Sequence, residues 1–218
     1  MAEFSNNVII LTGASSGIGL AFAKKIASQS PTIVMVARDA NKLANTAKEV
    51  EELGAKTLCI AGDLSEASFC KEVVEETVNT FGRIDTLINN AGITLWADFE
   101  DTEDLELSNR IMKINYDSVM YMTHYALKEI KKTKGRLVAV TSISGFIGVP
   151  GHAVYSASKH AIHGFYDSLR LELEGTGVSV TLIAPDFIQT EIHYRGLNAK
   201  GLPMKKRLSS DIALKNLG

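Results

Sequence analysis

Val8-Ile9-Ile10-Leu11-Thr12-Gly13-Ala14-Ser15-Ser16-Gly17-Ile18-Gly19 runs from an unbroken apolar stretch into a glycine-rich turn. Four consecutive apolar residues halted by glycine mark a strand buried on both faces, as in parallel sheets, and a helix is expected to follow. Gly13, Gly17 and Gly19 permit a tight turn, a close approach of backbone to a phosphate, and close packing of the helix on the strand. A helix beginning there would direct its free amide groups and the positive end of its dipole at an anion. The spacing is GxxxGxG, not the GxGxxG of the general dinucleotide fingerprint, and turns of every kind are rich in glycine. The position, with a strand before and a helix after, carries the reading. Gly13, Ser15, Ser16, Gly17, Ile18 and Gly19 are therefore candidate phosphate-binding residues.

The alternation repeats along the chain. Strands are expected at 32–37, 57–61, 86–89, 136–141 and 178–183. Helices are expected at 41–53, ended by Gly54, and from a cap at Ser65 to about residue 79. A long helical segment should span 104–132, and another helix should run through Tyr155 to about residue 174. Strand and helix in alternation predict an α/β fold with a doubly wound parallel sheet, in one domain over 1–218 without linkers or repeats.

Composition limits the functions open to it. The 218 residues are 45% hydrophobic and 22% charged, with a net charge of -2, which offers no phosphate-neutralising surplus for nucleic acid. No apolar run approaches the ~18 residues of a membrane helix, and residues 1–5 lack a basic n-region. Cys59 and Cys70 have no metal-ligand spacing and suit a reducing compartment, so a cytoplasmic location is expected. His152, His160 and His163 have no carboxylate or cysteine companion, so no metal site is expected. The Lys205-Lys206-Arg207 run reads as a solvated loop.

Tyr155-Ser156-Ala157-Ser158-Lys159 is the candidate chemical centre. Residues four apart lie on one helix face, so the ammonium of Lys159 can stand near the phenol of Tyr155. A neighbouring positive charge favours phenolate and should lower the phenol pKa, with Tyr155 as acid or base and Lys159 as its tuner.

Together these residues resemble the short-chain dehydrogenases and reductases of the classical type, over nearly the whole chain. Thr12 to Gly19 is similar to the family's TGxxxGxG, Asn89-Asn90-Ala91-Gly92 to its NNAG, and Tyr155 with Lys159 to its YxxxK; Ser142 stands thirteen residues before the tyrosine. The resemblance implies a Rossmann-like fold and an oxidoreductase acting on a small-molecule carbonyl or alcohol. It further implies that Lys159 holds the nicotinamide ribose, that Ser142 hydrogen-bonds the substrate oxygen, and that Asn115 holds a water linking Lys159 to solvent. Asn90, Ala91 and Gly92 would border the cofactor, and Asp63 and Leu64 would contact its adenine. Pro185-Asp186-Phe187-Ile188-Gln189-Thr190 resembles a PG-x-x-x-T segment, with Asp186 where glycine is usual; Pro185, Ile188 and Thr190 would hold the carboxamide.

At the end of strand two an NAD enzyme needs an acid for the ribose hydroxyl, and an NADP enzyme a cation for the 2′-phosphate. Arg38 offers that cation, with Ser15 as a helper by resemblance, whereas Asp39 can cap the following helix, so NADP is favoured over NAD. Thr94-Leu95-Trp96, Ile143-Ser144, Val149 to His152, and Ile192, His193 and Tyr194 should form a mostly apolar substrate wall. The alternatives are an NAD-linked alcohol dehydrogenase and a non-catalytic dinucleotide-binding redox sensor. Apolar residues on several faces of 111–130, with the stripes on the helix after Tyr155, predict a homodimer. The family's final strand after strand six is expected to be missing, leaving strand six at the edge.

Overall fold

The computed structural model describes residues 4–186, 188 and 196–204. Six parallel strands form one sheet in the order β3-β2-β1-β4-β5-β6. They are β1 (Val8–Thr12), β2 (Thr32–Ala37), β3 (Lys56–Ala61), β4 (Thr86–Asn89), β5 (Arg136–Val140) and β6 (Ser179–Ile183). The helices between them are α1 (Gly17–Ala27), α2 (Ala40–Glu51), α3 (Ala67–Phe81), α4 (Glu106–Met112), α5 (Ser118–Thr133) and α6 (Ala153–Glu172). The expected doubly wound α/β sheet is thus what the chain forms.

β1 shows why the sheet is covered twice. Ile10 faces one apolar cluster with Val34, Val73, Met122, Ile162 and Tyr166, while Ile9 and Leu11 face another with Ala23, Ile26, Ile33, Leu43 and Val50. A period of two in a strand sends neighbours to opposite faces, and helices on both sides receive them. The chain moves outward from β1 to β3 and returns at β4 on the other side of β1. That reversal opens a crevice at the carboxyl ends of β1 and β4, the place where ligands bind in open α/β sheets.

Three local expectations change. Ser65 does not cap α3: Glu66 occupies the cap position, and the Ser65 amide donates to Asp63 Oδ1 at 3.0 Å in a turn of its own. The long helical segment is not continuous: a π-turn over Lys113–Asp117 joins α4 to α5, and Asn115 sits inside it. β3 begins at Lys56, one residue earlier than expected, and lies at the sheet edge with Ile60 as its buried residue. The predicted cap of α2 is present, with Asp39 Oδ1 accepting from Lys42 N at 2.9 Å.

A smaller apolar cluster of Leu95, Leu107, Ile111 and Leu197 fixes the segment that leaves β4. Leu197 is stitched to it by backbone bonds, donating to Thr94 O at 2.8 Å and accepting from Trp96 N at 2.9 Å. β6 is the last strand in the order among the described residues, and its exposed residues alternate.

Candidate active site

The end of β1 is locked to the end of β4. Thr12 Oγ1 accepts from Asn90 N at 2.9 Å and Ala91 N at 3.0 Å, and donates to Ile88 O at 3.3 Å. Asn90 Nδ2 donates to Thr12 O at 2.9 Å and Gly13 O at 3.3 Å. The Asn90 side chain thus braces the glycine turn. A Cβ at Gly19 would lie 2.5 Å from Gly13 O and 2.6 Å from Asn90 Nδ2, so only glycine lets α1 approach this closely. Ser16 caps α1 without a side-chain hydrogen bond, which leaves the first amide groups of the helix free of side-chain partners. Uncapped amides beside a turn with no Cβ in the way fit a dinucleotide pyrophosphate. Gly92 borders the same crevice, where a Cβ would stand 3.3 Å from Asn115 Oδ1 and 3.6 Å from Lys159 Nζ.

Tyr155 and Lys159 project from α6 towards the end of β5, and both are buried. Lys159 Nζ donates to Val140 O at 3.2 Å and lies 5.7 Å from the centroid of the Tyr155 ring. Ser142 begins the short turn after β5, where its Oγ accepts from Ser144 N at 3.2 Å, and its hydroxyl is hydrogen-bonded to Tyr155. The expected lowering of the phenol pKa by Lys159 is not what this arrangement gives. Burial pushes the Tyr155 phenol up, and it is the Ser142 hydrogen bond, not the ammonium, that works against it. Burial also pulls Lys159 down to about 8.

Asn115 is fully buried in the π-turn. Its Oδ1 accepts from Ile93 N at 2.8 Å, and its Nδ2 donates to Ile93 O at 2.9 Å and Ser158 Oγ at 3.0 Å. The amide is a clamp between the strand-four loop and α6. Both of its N–H groups are already taken, so a water joining it to Lys159 would rest on backbone groups that a π-turn can release.

A cleft of about 260 Å³ is lined by Arg38, Asp63, Ser65, Glu106, Asn109, Arg110, Lys113 and Ile114. The Leu64 side chain is buried in the core, and its carbonyl accepts from Cys70 Sγ at 3.3 Å. Pro185 O accepts from Ile143 N at 3.0 Å and so ties the end of β6 to the Ser142 turn. Asp186 and Ile188 are exposed, and Thr190, Ile192, His193 and Tyr194 lie outside the described residues. Of the expected substrate wall, Trp96 and His152 join Tyr155 in a chain of rings, with centroids 4.1 Å and 5.2 Å apart.

Two contributors were not read from the sequence. Thr12, a short hydroxyl side chain directly after the apolar run, is the hinge pin of the crevice. His163 stands one helical turn beyond Lys159, its Nε2 3.0 Å from Thr141 Oγ1 and its ring 4.1 Å from that of Phe146. The i, i+4 spacing from Lys159 is the signal that could have placed it under the Ser142 turn.

Comparison with known proteins follows the same lines. A family model described as short chain dehydrogenase matches residues 7–198. An 11-beta-hydroxysteroid dehydrogenase A of Sesamum indicum is 36% identical over 191 residues, 87% of this chain and 55% of that protein. An 11-beta-hydroxysteroid dehydrogenase-like 4A of Arabidopsis thaliana is 39% identical over 188 residues, 86% of this chain and 62% of that protein. A short chain dehydrogenase/reductase from Burkholderia phymatum, solved in complex with NAD, superposes with a TM-score of 0.84 at 27% identity, covering 88% of this chain and 70% of that one. The chain belongs to the short-chain dehydrogenase/reductase family, a family of NAD(P)-linked oxidoreductases. It spans between half and two thirds of the length of the two curated relatives above. Among the described residues no helix is long and apolar enough to cross a membrane, and no group of residues could hold a metal ion.

Proposed function

We propose that the protein is an NADP-dependent oxidoreductase that interconverts a carbonyl and a secondary alcohol, with Tyr155 as general acid and base. The observation that carries the chemical part is the buried Tyr155 phenol, hydrogen-bonded to Ser142 and sharing α6 with Lys159. When bound, the nicotinamide supplies or accepts the hydride. Tyr155 gives its proton to the carbonyl oxygen in reduction and takes it back in oxidation. Its raised pKa keeps the phenol protonated at neutral pH, the state that a donor needs. Ser142 steadies the same oxygen. Lys159, with a pKa of about 8, is charged at neutral pH and would hold the ribose hydroxyls. Asn115 fixes the loop and helix between which the others work.

The choice of NADP rests on adjacent residues that separate their duties. Asp39 turns back to cap α2 through Lys42 N, which gives it a structural duty, whereas Arg38 lines the cleft. Pro185 and Asn90 to Gly92 would border the nicotinamide half, and Ile188 and Thr190 are assigned to its carboxamide by resemblance. The substrate is an organic carbonyl or alcohol with an apolar body: Ile143, Phe146 and Ile147 are exposed in the turn that begins at Ser142. The hydroxysteroid dehydrogenase names of the curated relatives agree with such a body. The free thiols of Cys59 and Cys70 accord with a cytoplasmic setting. The half-buried Tyr116, Tyr121, Tyr125 and Phe165 on and beside α5 and α6 support a homodimer built on these helices.

Binding of NADPH and NADH to the wild-type chain and to Arg38→Ala, followed by nicotinamide fluorescence, tests the cofactor assignment. A charge-assisted phosphate contact is worth on the order of 1.5 to 3 kcal/mol, so Arg38→Ala should weaken NADPH roughly ten- to a hundredfold and leave NADH nearly unchanged. Equal losses for both cofactors would overturn it.

A further inference from the structure

We propose that Arg110 and Lys113 complete, from the opposite wall, an anion clamp begun by Arg38, so that the 2′-phosphate of the cofactor is held between β2 and the α4 side of the cleft. This rests on the NADP reading above and extends it to residues outside the strand-two position. Arg38 follows the end of β2, while Arg110 lies in the last turn of α4 and Lys113 opens the π-turn, yet all three line one cleft. Among the described residues, none of the three side chains makes an ion pair or a hydrogen bond. Two acids, Asp63 and Glu106, share the lining, so the cleft keeps a surplus of one positive charge, and each acid is held in place by a local hydrogen bond. Asp63 Oδ1 accepts from Ser65 N at 3.0 Å, and Glu106 Oε1 accepts from Asn109 Nδ2 at 3.1 Å.

The ordinary reason for a cation at the end of a helix is to offset the negative end of the dipole. That reason is weak for Arg110, since α4 does not end in solvent but continues through the π-turn into α5. The three cations of the lining outnumber its two acids, and a phosphate dianion is attracted by that positive surplus on a concave surface. Arginine adds a planar fork that can take two phosphate oxygens, and lysine adds a mobile point charge. Ser65, in the same lining, offers a hydroxyl to the same group.

The test is equilibrium binding of NADPH, NADH, and the fragments 2′,5′-ADP and 5′-ADP, to wild type, Arg110→Ala, Lys113→Ala and the double variant, at several salt concentrations. Each single variant should weaken NADPH and 2′,5′-ADP by roughly three- to tenfold, and the double variant by more, with NADH and 5′-ADP changed by less than about twofold. The salt dependence of NADPH binding should flatten in the double variant. Arg110→Lys and Lys113→Arg, which keep the charge, should retain most of the affinity, which separates charge from folding. If wild type prefers NADPH and Arg38→Ala abolishes that preference while the double variant keeps it, the clamp is wrong and the NADP reading stands. If wild type binds NADH at least as well as NADPH, the NADP reading fails and the clamp fails with it.

Discussion

Lys159 Nζ donates to the carbonyl oxygen of Val140, the last residue of β5, across 3.2 Å. The ammonium is thus strapped to the strand that delivers Ser142, while it stands 5.7 Å from the centroid of the Tyr155 ring on the same helix face. Burial of this charge lowers its pKa to about 8 from the ordinary 10.5. Between those values the unfolded chain holds a proton that the folded chain has released, so stability tied to Lys159 rises with pH across that window and is lowest below about 8. Comparing wild type with Lys159→Met cancels the opposing titrations of Cys70 and the buried tyrosines. Thermal or urea unfolding should show the wild type gaining on the variant from pH 8 to pH 10, by up to a few kcal/mol. A constant gap would mean that Lys159 is not held as a buried charge.

Gly19 is the tightest point of the phosphate turn. Gly19→Ala places a Cβ against Gly13 O and Asn90 Nδ2, and overpacking of this kind costs about 1 to 3 kcal/mol. The bracing hydrogen bonds would be displaced with it, so calorimetry should show cofactor affinity lost by at least about tenfold alongside a lower melting temperature. Unaltered affinity would show that the turn does not carry the pyrophosphate.

His163 braces the Ser142 turn from below. The Thr141 hydroxyl lies 3.2 Å from Ile183 O and 3.0 Å from His163 Nε2; when its hydrogen goes to the carbonyl, the Nε2–H tautomer of His163 donates to its oxygen. A Cβ on Gly145 would meet the imidazole at 2.5 Å, so the turn lies flat on this ring. His163→Ala should slow turnover by about tenfold and leave cofactor binding unchanged, because it loosens Ser142 without touching the cofactor crevice. His163→Gln, whose amide nitrogen can reach the same oxygen, should recover most of the rate. Steady-state kinetics beside cofactor titration separates these outcomes; loss of both activity and cofactor affinity in His163→Ala would mean a general folding defect.

Asp39→Ala should cost about 1 kcal/mol through the lost cap on α2 and leave the ratio of NADP to NAD affinity as it was. Urea unfolding and cofactor titration read the two effects separately. A shift towards NADP would mean that Asp39 had been competing for the ribose after all.

Much of this was legible because periodicity and punctuation are local. The apolar run at Val8 to Leu11, the glycines behind it and the repeated alternation are enough to reach the doubly wound sheet. The four-residue spacing of Tyr155 and Lys159 places them together without any knowledge of the fold. The π-turn at Lys113–Asp117 could not be read from periodicity, and the Asn115 clamp that accompanies it reaches Ile93, twenty-two residues away in the chain. The electrostatics misled for a related reason. Proximity of an ammonium to a phenol follows from spacing, but the burial that raises Tyr155 and lowers Lys159 comes from loops and strands that spacing does not describe. Ser65 has the type and position of a cap, but the helix starts one residue later, with Glu66 at the cap position.

The central claim is tested most directly by the near-ultraviolet absorbance of reduced nicotinamide, with wild type and Tyr155→Phe given NADPH or NADH and a panel of aldehydes, ketones and ketosteroids. The account predicts that wild type consumes NADPH with at least one apolar carbonyl, faster than NADH. It predicts that Tyr155→Phe binds NADPH as tightly but loses at least about a hundredfold in turnover, the usual worth of a positioned proton donor. Tight cofactor binding with no turnover on any substrate, or a Tyr155→Phe variant as active as wild type, would contradict it.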